Sequence, residues 1–200
     1  MDYSVLDIIG TIAFVASGAV VAMEAEYDIW GFYTLSLVTA FGGGVIRNIL
    51  IGIPVSSLWD QQLLINVSLI TITILTILPK GWVKIWNKWG HFFDAIGLSA
   101  FAIQGAIYAS QLGHPITAIV VSSVMTGIGG GIIRDMLACR KPLVLRDEIY
   151  AVWAMLAGVV VGLHYVSSSV GWYTLFVFIV GLRMLSVFYK WRLPRRSLSK

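Results

Sequence analysis

Charge is scarce in this chain. Aspartate, glutamate, lysine and arginine make up 12% of its 200 residues while 58% are hydrophobic, against about 25% charged in an average soluble domain. That balance excludes an ordinary water-soluble domain and calls for a multispanning membrane protein. Cysteine is nearly absent: Cys139 stands alone, which excludes an intramolecular disulfide, and nothing around it suggests a nucleophile or a metal site. The opening Met1-Asp2-Tyr3 lacks the positive segment of a secretory signal peptide, so the first apolar run is expected to remain in the mature chain. Phosphate loops, paired metal ligands and dinucleotide fingerprints are also missing. Ser17-Gly18 and His164 could suggest an intramembrane serine hydrolase, but Val15-Ala16 before the serine offers no glycine for a strained turn. No enzyme, cofactor, metal or nucleic-acid partner is expected.

What is there is a series of apolar runs, each able to cross about 30 Å of hydrocarbon with roughly 20 residues. Seven are expected, at about 4–23, 30–53, 62–78, 92–112, 116–138, 149–166 and 172–188. Pro54, Pro79-Lys80-Gly81, Gly113-His114-Pro115 and Ser167-Ser168-Ser169 punctuate them, and Trp82, Lys84, Trp86, Lys88 and Trp89 make a basic, aromatic interface segment. Seven spans put the termini on opposite sides. Of 14 basic residues, Arg47, Arg134 and Arg183 lie within spans, and the other 11 fall on the side of the C-terminus. The N-terminus is therefore expected outside and the C-terminus in the cytoplasm. The tail at 190–200 carries Lys190, Arg192, Arg195, Arg196 and Lys200, suited to anionic lipid headgroups.

The chain also repeats itself. The offset that carries Asp7 to Asp94, 87 residues, also aligns Gly10 with Gly97, Ala13-Phe14 with Ala100-Phe101, Gly18-Ala19 with Gly105-Ala106, Thr39 with Thr126, Arg47 with Arg134 and Asp60 with Asp147. An ungapped register that carries charges, glycines and phenylalanines together indicates duplication. Three helices per copy force the second copy to enter the membrane from the opposite side. The expected fold class is all-α, a polytopic protein of two inverted three-helix repeats, about 4–79 and 91–166, with a seventh helix at about 171–190.

Each copy carries a glycine triplet followed by an arginine: Gly42-Gly43-Gly44 before Arg47-Asn48, and Gly129-Gly130-Gly131 before Arg134-Asp135. A glycine costs roughly 1 kcal/mol relative to alanine in a helix interior. Spans two and five are accordingly expected to break at the triplets near the midplane, exposing carbonyl oxygens and N–H groups to a path between the repeats. Close helix packing through small residues is the alternative. Antiparallel neighbours should bring Asp7 to Arg47 and Asp94 to Arg134, with Asn48 and Asp135 as adjacent polar partners; the alternative is arginines snorkelling to the headgroups. Ser36, Thr39, Ser123 and Thr126 are candidates to line the path, as two pairs of repeat mates. Arg183 has no mate and reads as a packing or snorkelling residue.

The duplicated Gly-Gly-Gly-x-x-Arg-Asn/Asp motif, the 3+3+1 layout and the acid opening spans one and four resemble the prokaryotic relatives of the trimeric intracellular cation (TRIC) channels. These overlap a bacterial family with a glycine-transporter domain. The resemblance covers about 4–190. It implies a homotrimer in the prokaryotic plasma membrane, each protomer carrying its own pore, kinked at the triplets, for a monovalent cation such as potassium. Arg47 and Arg134 would flank that pore. A transporter of a small amino acid such as glycine fits the same residues, with arginine for the carboxylate and helix-end carbonyls for the ammonium.

Overall fold

The computed structural model describes residues 5–78, 80–146, 149–166 and 168–191, with 80–88 and 146 described as backbone only. The basic tail from Arg192, the acids Asp147 and Glu148, and the side chains of Trp82, Lys84, Trp86 and Lys88 lie outside the described residues. Among the described residues there are helices and no strands. They are α1 (Val5–Glu24), α2 (Ile29–Ile51), α3 (Gln62–Ile77), α4 (Lys80–Gln111), α5 (Ile116–Leu137), a short α6 (Leu143–Arg146), α7 (Ala151–Gly162) and α8 (Ser169–Phe188). A single 3-10 turn, Val55–Leu58, links α2 to α3. Five helices are long and apolar enough to cross a membrane: α1, α2, the Trp89–Gln111 part of α4, α5 and α8. Two more, α3 and α7, are apolar but shorter.

Local chemistry explains the ends. Asp28 caps α2 by accepting from the Gly31 N–H at 2.8 Å, and Ser168 caps α8 in the same way through Gly171. Gly52 closes α2 with φ of 75°, and Gly113 turns α4 into α5 with φ of 72°. Both adopt the left-handed backbone that a side chain disfavours. The bundle's two ends are tied by polar contacts. At one, His114 Nε2 lies 3.1 Å from the Ile51 carbonyl; at the other, Tyr27 donates to the Leu137 carbonyl and Arg140 pairs with Glu24 at 2.7 Å.

Packing follows the repeat. α1 packs on α2 and α3 as α4 packs on α5 and α7, and the two units join through α1 against α4 and α2 against α5. The centre is the edge-to-face pair Phe14 and Phe101, repeat mates with ring centroids 5.1 Å apart. Each ring occupies the space left by the other repeat's first glycine, Phe14 over Gly97 and Phe101 over Gly10. Losing one of these rings would cost about 3–5 kcal/mol. α8 lies against α4 and α7 and keeps most of its surface facing outward.

The expected breaks at the triplets do not occur. α2 runs helical through Gly42, Gly43 and Gly44, and α5 through Gly129, Gly130 and Gly131. The missing side chains serve helix contact instead of unwinding. A Cβ on Gly43 would stand 2.3 Å from the Thr126 carbonyl oxygen, and one on Gly130 would stand 2.0 Å from that of Thr39. α2 and α5 therefore cross backbone to backbone at the middle glycines, and each fits against the other repeat's threonine turn.

Candidate functional site

Two arginines sit on opposite sides of this crossing, both inside the bundle. Arg47 is 3% exposed and Arg134 2%, so neither snorkels to a headgroup. A guanidinium so buried is costly unless it is hydrogen-bonded and paired, and each has gathered partners. Arg47 donates from Nε and Nη2 to Asn48 Oδ1 at 3.0 and 2.8 Å, and from Nη1 to Gln104 Oε1 at 3.4 Å. Its guanidinium lies 4.3 Å from the Tyr108 ring centroid, within cation–π range. Gln104 in turn donates to Asp7 Oδ1, so Asp7 and Arg47 are joined through an amide.

Arg134 is held by carboxylates. Nη1 donates to Asp94 Oδ1 at 2.8 Å and to Ser17 Oγ, and Nε donates to Asp135 Oδ1 at 2.9 Å. Asp135 Oδ2 also accepts from the Leu143 N–H at 3.1 Å. Ser17 and Gln104 are repeat mates, so each arginine reaches across to the equivalent position of the opposite repeat. The two clusters share a plan and differ in charge. One guanidinium meets two carboxylates in the second repeat, whereas in the first Asn48 takes the place of Asp135.

Each cluster borders a cavity. Beyond Arg47, about 230 Å³ opens among Asn48, Ser57, Asp60, Gln61 and Tyr108. A second void of about 20 Å³, which shares Arg47, Asn48 and Gln61 in its lining, lies beside Thr11, Gly44, Gln104 and Thr126, room for about one water. Beyond Arg134, about 170 Å³ opens among Ser17, Glu24, His91, Asp94, Arg140 and Lys141. Between the two lie the Gly43–Gly130 crossing and the Phe14–Phe101 pair.

Of the four small polar residues expected to line a path, Thr126 borders the narrow cavity. Thr39 and Thr126 each donate back to their own helix, to the Leu35 and Ser122 carbonyls, both at 2.6 Å. Ser123 donates to the carbonyls of Ala102 and Ala154, binding α5 to α4 and α7, and Ser36 is fully buried. Tyr108 and Tyr150, which sequence reasoning does not single out, both touch the clusters; their only signal is a phenol at the edge of an apolar run. Arg183 is fully buried with its guanidinium over the Tyr150 ring, so it does not snorkel. Among the described residues no group of His, Cys, Asp and Glu could hold a metal ion.

Comparison with known proteins agrees with this architecture. A family model described as glycine transporter matches residues 4–80 and 91–165, which takes in both repeats. The chain belongs to the glycine-transporter family. Its relatives include the UPF0126 membrane protein YvgT of Bacillus subtilis (strain 168), 58% identical over 98% of each chain. Among solved structures, a TRIC cation channel is similar over 100% of both chains, at 31% identity and a TM-score of 0.85. A prokaryotic TRIC channel crystallised in 0.5 M KCl is similar over 94% of this chain and 96% of its own, at 33% identity and a TM-score of 0.78. This member of the glycine-transporter family is thus an integral membrane protein with the fold of the TRIC cation channels, and these structural relatives are ion channels, not enzymes.

Proposed function

We propose that the chain is a monovalent cation channel, with potassium as the expected ion, acting as a homotrimer in which each protomer carries its own path. The observation that carries this reading is the pair of cavities on opposite sides of the α2–α5 crossing, each bounded by a buried, hydrogen-bonded arginine. Bare guanidinium groups would repel a passing cation. With Asp94 and Asp135 both on Arg134, its guanidinium is compensated, and with Glu24, Arg140 and Lys141 the inner cavity's lining carries three acids against three bases, so Arg134 sets up no net barrier to a cation. Closed backbone contact at Gly43 and Gly130 describes the shut path, and separation of α2 from α5 would open it.

In this reading all seven apolar helices span the bilayer, as two inverted repeats at about 4–79 and 91–166 plus a seventh helix at about 171–190. The N-terminus lies outside, so the Arg47 cluster is outer and the Arg134 cluster inner. The tail at 190–200 lies in the cytoplasm against lipid headgroups, and the membrane is the bacterial plasma membrane. A second reading, transport of a small amino acid such as glycine, is supported by the family description and by guanidinium and carboxylates sharing the inner cavity. Liposomes holding the purified protein separate the two. The channel reading expects passive potassium efflux without glycine exchange; saturable glycine counterflow without potassium efflux would favour the transporter.

A further inference from the structure

The inner cluster includes a tyrosine that the repeat offset does not match with another tyrosine. Asp94 uses its two oxygens separately: Oδ1 accepts from Arg134, and Oδ2 accepts from the Tyr150 hydroxyl. Tyr150 immediately precedes α7 and is 3% exposed. Its ring lies beneath the guanidinium of Arg183, 4.5 Å from the centroid, and Arg183 belongs to α8, the helix outside the repeat. Gly131 lies alongside, where a Cβ would make only ordinary contact with the Tyr150 hydroxyl at 3.4 Å and with Arg134 Nη2 at 3.7 Å. The repeat offset carries Tyr150 back to Leu63, an exposed apolar residue. The first repeat therefore has no hydroxyl in this place.

We infer that Tyr150 and Arg183 are positioning residues for Arg134: α8, acting through Arg183, Tyr150 and Asp94, holds the inner guanidinium against the wall of its cavity. The inference rests on the reading that this cavity belongs to the transport path. A carboxylate held on one oxygen alone can swing about its Cβ–Cγ bond and carry its arginine with it. Donation from the Tyr150 hydroxyl to the second oxygen removes that freedom, because hydrogen bonds to ionised groups are about twice as strong as neutral ones. The planar guanidinium of Arg183 on the ring face fixes where the hydroxyl points, a task that a lysine ammonium does less well. Movement of α8 against α4 and α7 is thereby translated into freedom of Arg134.

Chemical modification of arginine tests this without relying on conduction. The full chain in detergent micelles is treated with phenylglyoxal, and labelling of Arg134 and Arg47 is followed by peptide mass spectrometry in the wild type, Tyr150→Phe and Arg183→Lys. Tyr150→Phe keeps the stacked ring and removes only the hydroxyl. The expected result is Arg134 labelling faster by about ten-fold, the factor that one hydrogen bond to a charged group is worth, with Arg47 unchanged. Arg134 labelling at the wild-type rate overturns the inference, as does an equal rise at both arginines, which would mean general loosening. Should Tyr150→Phe fail to fold, Arg183→Lys is judged by the same two rates. Failure of the channel reading shows separately, as absence of potassium efflux from wild-type liposomes.

Discussion

One added methyl group at the α2–α5 crossing should separate the middle glycines of the triplets from their neighbours. A Cβ at Gly43 would lie 2.3 Å from the Thr126 carbonyl oxygen, whereas a Cβ at Gly44 meets nothing nearer than Arg47 Nη2 at 3.6 Å. Ordinary carbon–oxygen contact lies near 3.3–3.6 Å, so Gly43→Ala must push the helices apart by about 1 Å. Overpacking of that kind costs about 1–3 kcal/mol, offset only in part by the gain in helix propensity. Gly44→Ala keeps that gain without the clash and should stabilise by about 0.5–1 kcal/mol. The second triplet should behave alike: Gly130→Ala meets the Thr39 carbonyl at 2.0 Å, while Gly131→Ala meets the Tyr150 hydroxyl at 3.4 Å. Thermal unfolding in mild detergent, read as the surviving fraction on size-exclusion chromatography, should place Gly43→Ala and Gly130→Ala several degrees below Gly44→Ala and Gly131→Ala. Four equal midpoints, or the reverse order, would refute the assignment of the middle glycines as the helix contact.

Other outcomes follow from the charged groups. Asp94→Asn should destabilise the protein by about 2–4 kcal/mol, below the upper end for a broken buried pair because Asp135 still holds Arg134; Asp94→Asn with Arg134→Gln should recover part of the loss in the same unfolding assay, and strict additivity would contradict direct coupling. Asn48→Asp gives Arg47 the carboxylate that Arg134 already has, and should raise the preference for potassium over chloride in reversal-potential measurements and stabilise by about 1 kcal/mol. Glu24→Gln breaks a pair that is about one-third exposed, and should change stability by less than about 1 kcal/mol, with the difference vanishing in high salt.

The repeat is legible in the sequence because Asp7, Arg47, Phe14 and Gly43 all find their mates at one offset, and burial of both arginines follows from their place in apolar runs. Asp94 and Arg134 pair directly, as antiparallel neighbours should. The triplets read as breaks, wrongly, because a glycine leaves the same signature in sequence whether it frees its own backbone or admits another's. Only the partner helix decides, and Thr126 and Thr39, which fill that role, lie in the opposite repeat. The same limit hides the bridging of Asp7 to Arg47: Gln104 and Ser17 are visible as polar residues at mid-span, but their reach across to the other repeat's arginine is a tertiary fact. Ser123 illustrates the converse, since a hydroxyl that binds two helices together looks like one that faces water.

The most direct test of the central claim is the reversal potential of the purified protein in a planar bilayer under a ten-fold gradient of potassium chloride. A cation-selective path predicts unitary currents whose reversal potential approaches about 59 mV in magnitude, on the side set by potassium. Absence of unitary currents, or a reversal potential on the side set by chloride, would contradict it.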